Sequence, residues 1–132
     1  MRKHYILKGR EVVTLEGDNA VLEWAEWFEK ADRHVSTTEL DAGSVKIVVS
    51  TVFLGLDHNF GYKDEKRPVL FETMIYSPRA VEIGGNKWDD CQWRYCTYDE
   101  AETCHNVIVS LLWSGIDPSD YSVEELLENW NP

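Results

Sequence analysis

Two histidines, one carboxylate–guanidinium pair and one polar loop are the parts of this sequence that could do chemistry. The loop Leu56-Asp57-His58-Asn59-Phe60-Gly61 is the densest of them. A histidine next to a carboxylate, as His58 is next to Asp57, is a pairing that general acid/base work uses. The same residues serve equally well as Asx turns, with Phe60 tucked into a core. His105 follows Cys104 on the edge of an apolar helical stripe, where it can face His58 or a strand hydroxyl. Glu72 sits in mid-strand between Phe71 and Thr73, and Arg94 in CQWRYC is its candidate partner. The two fit a cross-strand pair; alternatively, Arg94 holds an anionic ligand through its planar fork, with Tyr95 beside it. The candidate ligand-binding set is therefore Asp57, His58, Asn59, Phe60, Glu72, Arg94, Tyr95 and His105, with no residue assigned to catalysis.

Cys91, Cys96 and Cys104 complete the inventory of reactive groups. Their spacing is C-x4-C followed by a Cys-His step, without a C-x2-C pair, so neither a metal site nor a cofactor is expected. An odd cysteine count does not fit a secreted disulfide framework. The apolar stretch near the N-terminus is two or three residues long, against the roughly 7–15 of a secretory signal. No run approaches the ~18 apolar residues of a membrane span. These features predict a cytoplasmic protein without a membrane partner.

The elements that must position these groups read as follows. Residues 4–8 and 11–15 flank Gly9-Arg10 and predict a hairpin. Val21, Trp24, Phe28 and Ala31 recur at helical spacing and predict a helix over 20–33, capped by Asp18 or Asn19. Glu26 with Lys30 and Glu29 with Arg33 are i,i+4 pairs on its wet face. Residues 34–40 and 45–54 predict two strands, the second covered in part on both faces. Residues 68–76 predict a further strand with Pro68 at its first position. Residues 77–90 read as a turn-rich link with at most a short strand at 80–83, and 91–96 as a last strand. Thr97 and Glu100 form a capping box for a helix running to about Trp113 and ended by Gly115, with Ala101, Cys104, Ile108, Leu111 and Leu112 on its apolar face. Ser122 and Glu125 form a second box, for a short helix with Val123, Leu126, Leu127 and Trp130 on one side. Strands in hairpin-like runs predict an α+β fold: a mainly antiparallel sheet of about 5–6 strands, two longer helices on one face and a short C-terminal helix.

At 132 residues the chain suits one domain. The expected division is an α+β domain over 1–115 and an acidic tail helix over 116–132, docked on that domain or on a partner protomer. The formal net charge of −11 is unevenly spread. Residues 1–96 carry −3, and residues 97–132 carry −8 with no Lys or Arg. This excludes a basic groove tracking extended nucleic acid.

The segment from Val49 to Gly61, VSTVFLGLDHNFG, resembles the signature S-T-V-F-L-G-L-D-H-x-F-G of a widespread family of small uncharacterised proteins carried by phages, prophages and bacteria. Leu70-Phe71-Glu72-Thr73-Met74, Arg94-Tyr95-Cys96-Thr97, Glu100-Ala101 and His105 continue that pattern, and Trp24 to Arg33 is similar to its W-A-R-W-F-E-x-A-D-R helix. Cys104 stands where the family usually has Gly, and the tail from 116 lies outside the pattern. The resemblance implies a phage-type accessory protein in the host cytoplasm and carries over no catalytic residue.

The expected function is a non-catalytic binding protein, a counter-defence factor that sequesters a small anionic nucleotide signal or blocks a host protein. The 116–132 tail would imitate nucleic acid or join protomers into a homo-oligomer. The alternatives are a small nucleotide hydrolase using His58 or His105, and a virion or assembly component.

Overall fold

The computed structural model of the chain describes residues 3–42, 45–58, 67–77 and 91–128. Gly9-Arg10 reverses the chain between β1 (His4–Lys8) and β2 (Glu11–Leu15), which pair antiparallel from His4↔Leu15 to Lys8↔Glu11. Gly9 has φ +63°, a left-handed value that glycine adopts without a Cβ clash. Helix α1 (Ala20–Lys30) packs on this hairpin. Asn19 stands at its N-cap, but its side chain makes no cap hydrogen bond.

The helix stops before the expected residue 33. Ala31 is already extended, and the following residues have other tasks. Asp32 Oδ1 accepts from both the His34 backbone N–H and ring, which turns the chain. Arg33 lies 3.9 Å over the Phe28 ring and donates to Phe53 O. Arg33 is therefore bound to the sheet, and the expected pair with Glu29 does not form among the described residues.

Strands β3 (His34–Ala42), β4 (Val45–Phe53), β5 (Phe71–Tyr76) and β6 (Gln92–Tyr95) form a second sheet, antiparallel throughout, in the order β3-β4-β5-β6. The α+β class holds, and the six strands divide into a two-stranded and a four-stranded sheet. β5 begins at Phe71 and not at Pro68. Val69 N–H turns away to Asp57 Oδ1, and Leu70, bonded to Tyr95 O and Leu54 N–H, leads into the strand.

Period-2 alternation sorts the four strands onto two faces. Leu40, Val49, Phe53, Phe71, Ile75, Trp93 and Tyr95 share one face and are buried. Helix α2 (Tyr98–Trp113) covers that face and touches all four strands through Ala101, Cys104, His105, Val107 and Ile108. Its start carries the expected capping box: Thr97 Oγ1 accepts from Glu100 N–H, and Glu100 accepts from Thr97 N–H. Each large apolar side chain buried here contributes roughly 1.5–3 kcal/mol. The opposite face carries Thr37, Glu39, Lys46, Ser50, Glu72 and Arg94, with Glu39 and Lys46 paired at 3.3 Å.

Beyond Gly115, Asp117 Oδ1 accepts from Ser119 N–H and opens a 3-10 turn, Pro118–Asp120. Ser122 and Glu125 form the second capping box, at the start of α3 (Val123–Glu128). α3 packs against α2 and β6 of its own chain and buries Leu126 completely. Trp93 Nε1 donates to Tyr121 O at 2.8 Å and fastens the tail to β6. Arg10, at the hairpin tip, donates to Asp99 and Glu102 and lies over the Tyr98 ring, tying the hairpin to the start of α2. No helix among the described residues is long and apolar enough to cross a membrane. The link over 78–90 and the short strand expected at 80–83 lie outside the described residues, as does Trp130.

Candidate functional site

The six candidate residues that the structure describes do not converge. The structure places them in three settings, with Asn59 and Phe60 outside the described residues.

The first setting is the end of β4. Asp57 Oδ1 accepts from Val69 N–H at 2.8 Å, and His58 N–H donates to Val69 O at 2.9 Å. The two residues thereby clamp the chain on either side of segment 59–66. His58 Nδ1 lies 2.8 Å from Leu56 O. A carbonyl only accepts, so Nδ1 carries the proton. Burial raises the Tyr5 phenol above its usual range, and the Asp57 charge adds to the rise.

The second setting is the sheet face away from α2. Glu72 and Arg94 are direct cross-strand partners, and Arg94 Nε donates to Glu72 Oε2 at 2.8 Å. Arg94 Nη2 donates to Gln92 Oε1 at 3.0 Å. The guanidinium charge is thus matched within the protein, which is the structural pair that the spacing suggested.

The third setting is the interior beneath α2. Tyr95 follows Arg94 in the strand and therefore points to the opposite face. Its hydroxyl donates to Thr73 Oγ1 at 2.9 Å. Thr73 meets Thr51 at 2.6 Å, Thr51 meets His105 Nδ1 at 2.8 Å, and His105 Nε2 meets Thr38 Oγ1 at 2.8 Å. One residue from each strand and one from α2 form a continuous polar chain through an apolar core. His105, Thr51 and Thr73 have no exposed surface. A neutral ring satisfies every link: Tyr95 donates to Thr73, Thr73 to Thr51, Thr51 to Nδ1, and Nε2–H to Thr38. Burial holds His105 below the usual histidine range, as this arrangement needs. The same burial raises Tyr95 and pushes the Cys104 thiol up to about 12, with the Glu100 charge second for Cys104. The core is therefore polar but uncharged.

Tyr95 and Arg94 consequently cannot line one pocket, and both ring nitrogens of His105 are taken by threonine hydroxyls. Of the two partners expected for His105, the strand hydroxyl is the one found, but which threonines supply it (Thr38 and Thr51, with Thr73 behind) was not read from the sequence. Their signal was threonine at inward positions of otherwise apolar strands, matched to a histidine on an apolar helix face. Trp113, 73% exposed, was also missed, because helical periodicity does not report which turn of a helix overhangs its sheet.

The motif residues serve as framework. Gly55 has φ +80°, and a Cβ there would lie 3.0 Å from Trp24 Nε1 and 3.2 Å from the Phe28 ring. Gly55 O accepts from Trp24 Nε1 and Tyr5 N–H, both at 3.1 Å. The glycine thus joins α1, β1 and β4 at one carbonyl. Among the described residues, no three His, Cys, Asp or Glu side chains are grouped as metal ligands. No protein-family model, no curated protein and no solved structure matches this chain.

Proposed function

We propose that the chain is a non-catalytic, phage-type binding protein that acts in the host cytoplasm as a counter-defence factor by blocking a host protein. The observation that carries this reading is the end of α2. Trp113 is 73% exposed, Ile116 just beyond it is 44% exposed, and residues 97–132 contain no Lys or Arg. An exposed tryptophan in a stretch of chain whose formal charges are all carboxylates is the chemistry of an interface anchor for a basic partner. Arg10 neutralises Asp99 and Glu102, so the acidic excess falls on the tail, with Asp120, Glu124 and Glu128.

Two groups that other readings would use are engaged within the fold. Nucleotide capture by Arg94 competes with Glu72, which already holds the guanidinium. A hydrolase using His105 lacks solvent access to the ring, since both nitrogens contact threonine hydroxyls. The phage-type assignment rests on the resemblance carried by residues 49–61.

The test is plaque formation by a sensitive phage on cells that carry single defence systems, with and without this chain. Wild type restores plaques against at least one system. The Trp113→Ala/Ile116→Ser double variant, folded by circular dichroism, loses at least about tenfold of that restoration. Full activity in the double variant, or no restoration against any system, overturns the reading.

A further inference from the structure

The hydrogen-bond chain under α2 has two ends, and its hydroxyls have two directions open to them. At one end Thr38 on β3 is half-buried, and its Oγ1 lies 2.8 Å from His105 Nε2. At the other end the Tyr95 hydroxyl is bonded to Thr73 and to the Cys104 thiol. Cys104 is fully buried and stands one residue before His105 on α2. Each group between the ring and Cys104 is a hydroxyl, which both donates and accepts and rotates to suit its partners.

With a neutral ring the protons point one way. Tyr95 donates to Thr73, Thr73 to Thr51 and Thr51 to His105 Nδ1, while Nε2–H donates to Thr38. A second proton on the ring goes to Nδ1 and reverses this order. Nδ1–H then faces Thr51 Oγ1 at 2.8 Å, so Thr51 must accept. The Thr51 proton turns to Thr73 at 2.6 Å, and the Thr73 proton to the Tyr95 oxygen at 2.9 Å. Tyr95 in turn donates to the Cys104 sulfur, a weak acceptor. The added proton comes from solvent and stays on Nδ1; each hydroxyl rotates and keeps its own proton. Every buried group has a partner in both directions, which removes the main cost of charging a ring inside a core.

The groups that face the ring are uncharged: Thr38 on β3, Thr51 on β4, then Thr73 on β5 and Tyr95 on β6 behind it. The carboxylates that act on the chain are Glu100 on α2 and Glu124 on α3, both at its Cys104 end. Burial holds the ring below the ordinary histidine value of 6.5, so the reversal belongs to acid pH.

We propose that this chain is an acid-operated switch inside the fold: protonation of His105 reverses the hydroxyls of Thr51, Thr73 and Tyr95 and turns Tyr95 onto Cys104, while α2 stays packed on the sheet. It concerns the core, and it stands apart from the reading of Trp113.

The experiment is an NMR titration of the nitrogen-15-labelled full chain from about pH 8 to about pH 4.5, following the His105 ring nitrogens and the backbone amides. Wild type is expected to show the Nε2–H tautomer at the upper end and a protonated Nδ1 at the lower end, with the amide dispersion retained. Tyr95→Phe leaves Thr73 donating to Thr51 but takes away the acceptor that the reversed chain needs. It should weaken the proton affinity of His105 by about tenfold. Cys104→Ala strands the Tyr95 proton in the reversed direction alone and should weaken it in the same sense. Ile108→Val loosens the same core without touching the chain and should leave the titration unchanged. If Tyr95→Phe does not fold, Cys104→Ala carries the test. The proposal is overturned if the ring is the Nδ1–H tautomer near pH 8, if His105 stays neutral until the amide signals collapse, if either folded chain variant titrates like wild type, or if Ile108→Val shifts the titration as far as they do.

Discussion

The two halves of this protein solve the problem of burial in opposite ways. The four-stranded sheet under α2 is closed, and its polar groups are matched one to one: three threonines, a tyrosine and His105 satisfy each other with no exposed ring. The hairpin under α1 is less closed: a 510 Å³ cleft beside the helix leaves Leu15 and Trp27 half-buried and Glu23, Glu26 and Lys30 exposed. The closed half carries the groups that look chemical in the sequence and uses them for structure. The open half and the exposed end of α2 carry residues that look ordinary in the sequence and stay partly or largely exposed. A buried polar group without a partner costs more than its hydrogen bond returns, so groups of this kind inside a core are fully engaged.

The sharpest way to break this contrast is His105→Ala. It removes a fully buried ring and strands two threonine hydroxyls, so urea unfolding should show a loss of about 3–5 kcal/mol. A loss below about 1 kcal/mol would mean that the polar chain does not hold the sheet together. Gly55→Ala tests the junction between the halves. It forces a side chain into a left-handed conformation and against Trp24, and should cost about 2 kcal/mol in the same measurement.

Acid should act on the closed half. His105 is held below its ordinary value of 6.5 in the folded state, so the unfolded chain binds the extra proton first as pH falls. Stability therefore declines as pH drops below about 6.5, with a slope of at most ~1.4 kcal/mol per pH unit from this one group. His105→Gln should flatten that slope; an equal slope in both proteins would place the acid sensitivity in other groups. Arg10→Ala is the gentlest test. Its ion pairs are exposed, so the global midpoint should hardly move, while hydrogen exchange in β1 and β2 should quicken relative to β4 and β5. Equal quickening in both sheets would show that the halves unfold as one unit.

Local chemistry made much of the fold legible. Gly9-Arg10 between two alternating runs determined the hairpin, and the capping boxes Thr97–Glu100 and Ser122–Glu125 determined where α2 and α3 begin. Those signals act within a few residues and need no partner from afar. The Glu72–Arg94 pair was legible because side chains on neighbouring strands meet directly. Where α1 ends and where β5 begins were not legible in this way. Arg33 is drawn to Phe53 O, and Val69 N–H to the Asp57 carboxylate, and such distant contacts override local propensity.

The candidate site divides along the same line. Residue type alone marked His58, His105, Glu72 and Arg94 as the groups whose partners matter. Only the tertiary structure decided which partner, because it depends on strand register and on the face that α2 covers. A one-residue shift of register would put Thr51 and Thr73 on the opposite face and leave His105 bare. The division of strands into two sheets, the cleft between α1 and the hairpin, and the exposure of Trp113 were likewise decided by packing. Exposure is a property of what lies nearby in space, and sequence spacing carries that only within one element.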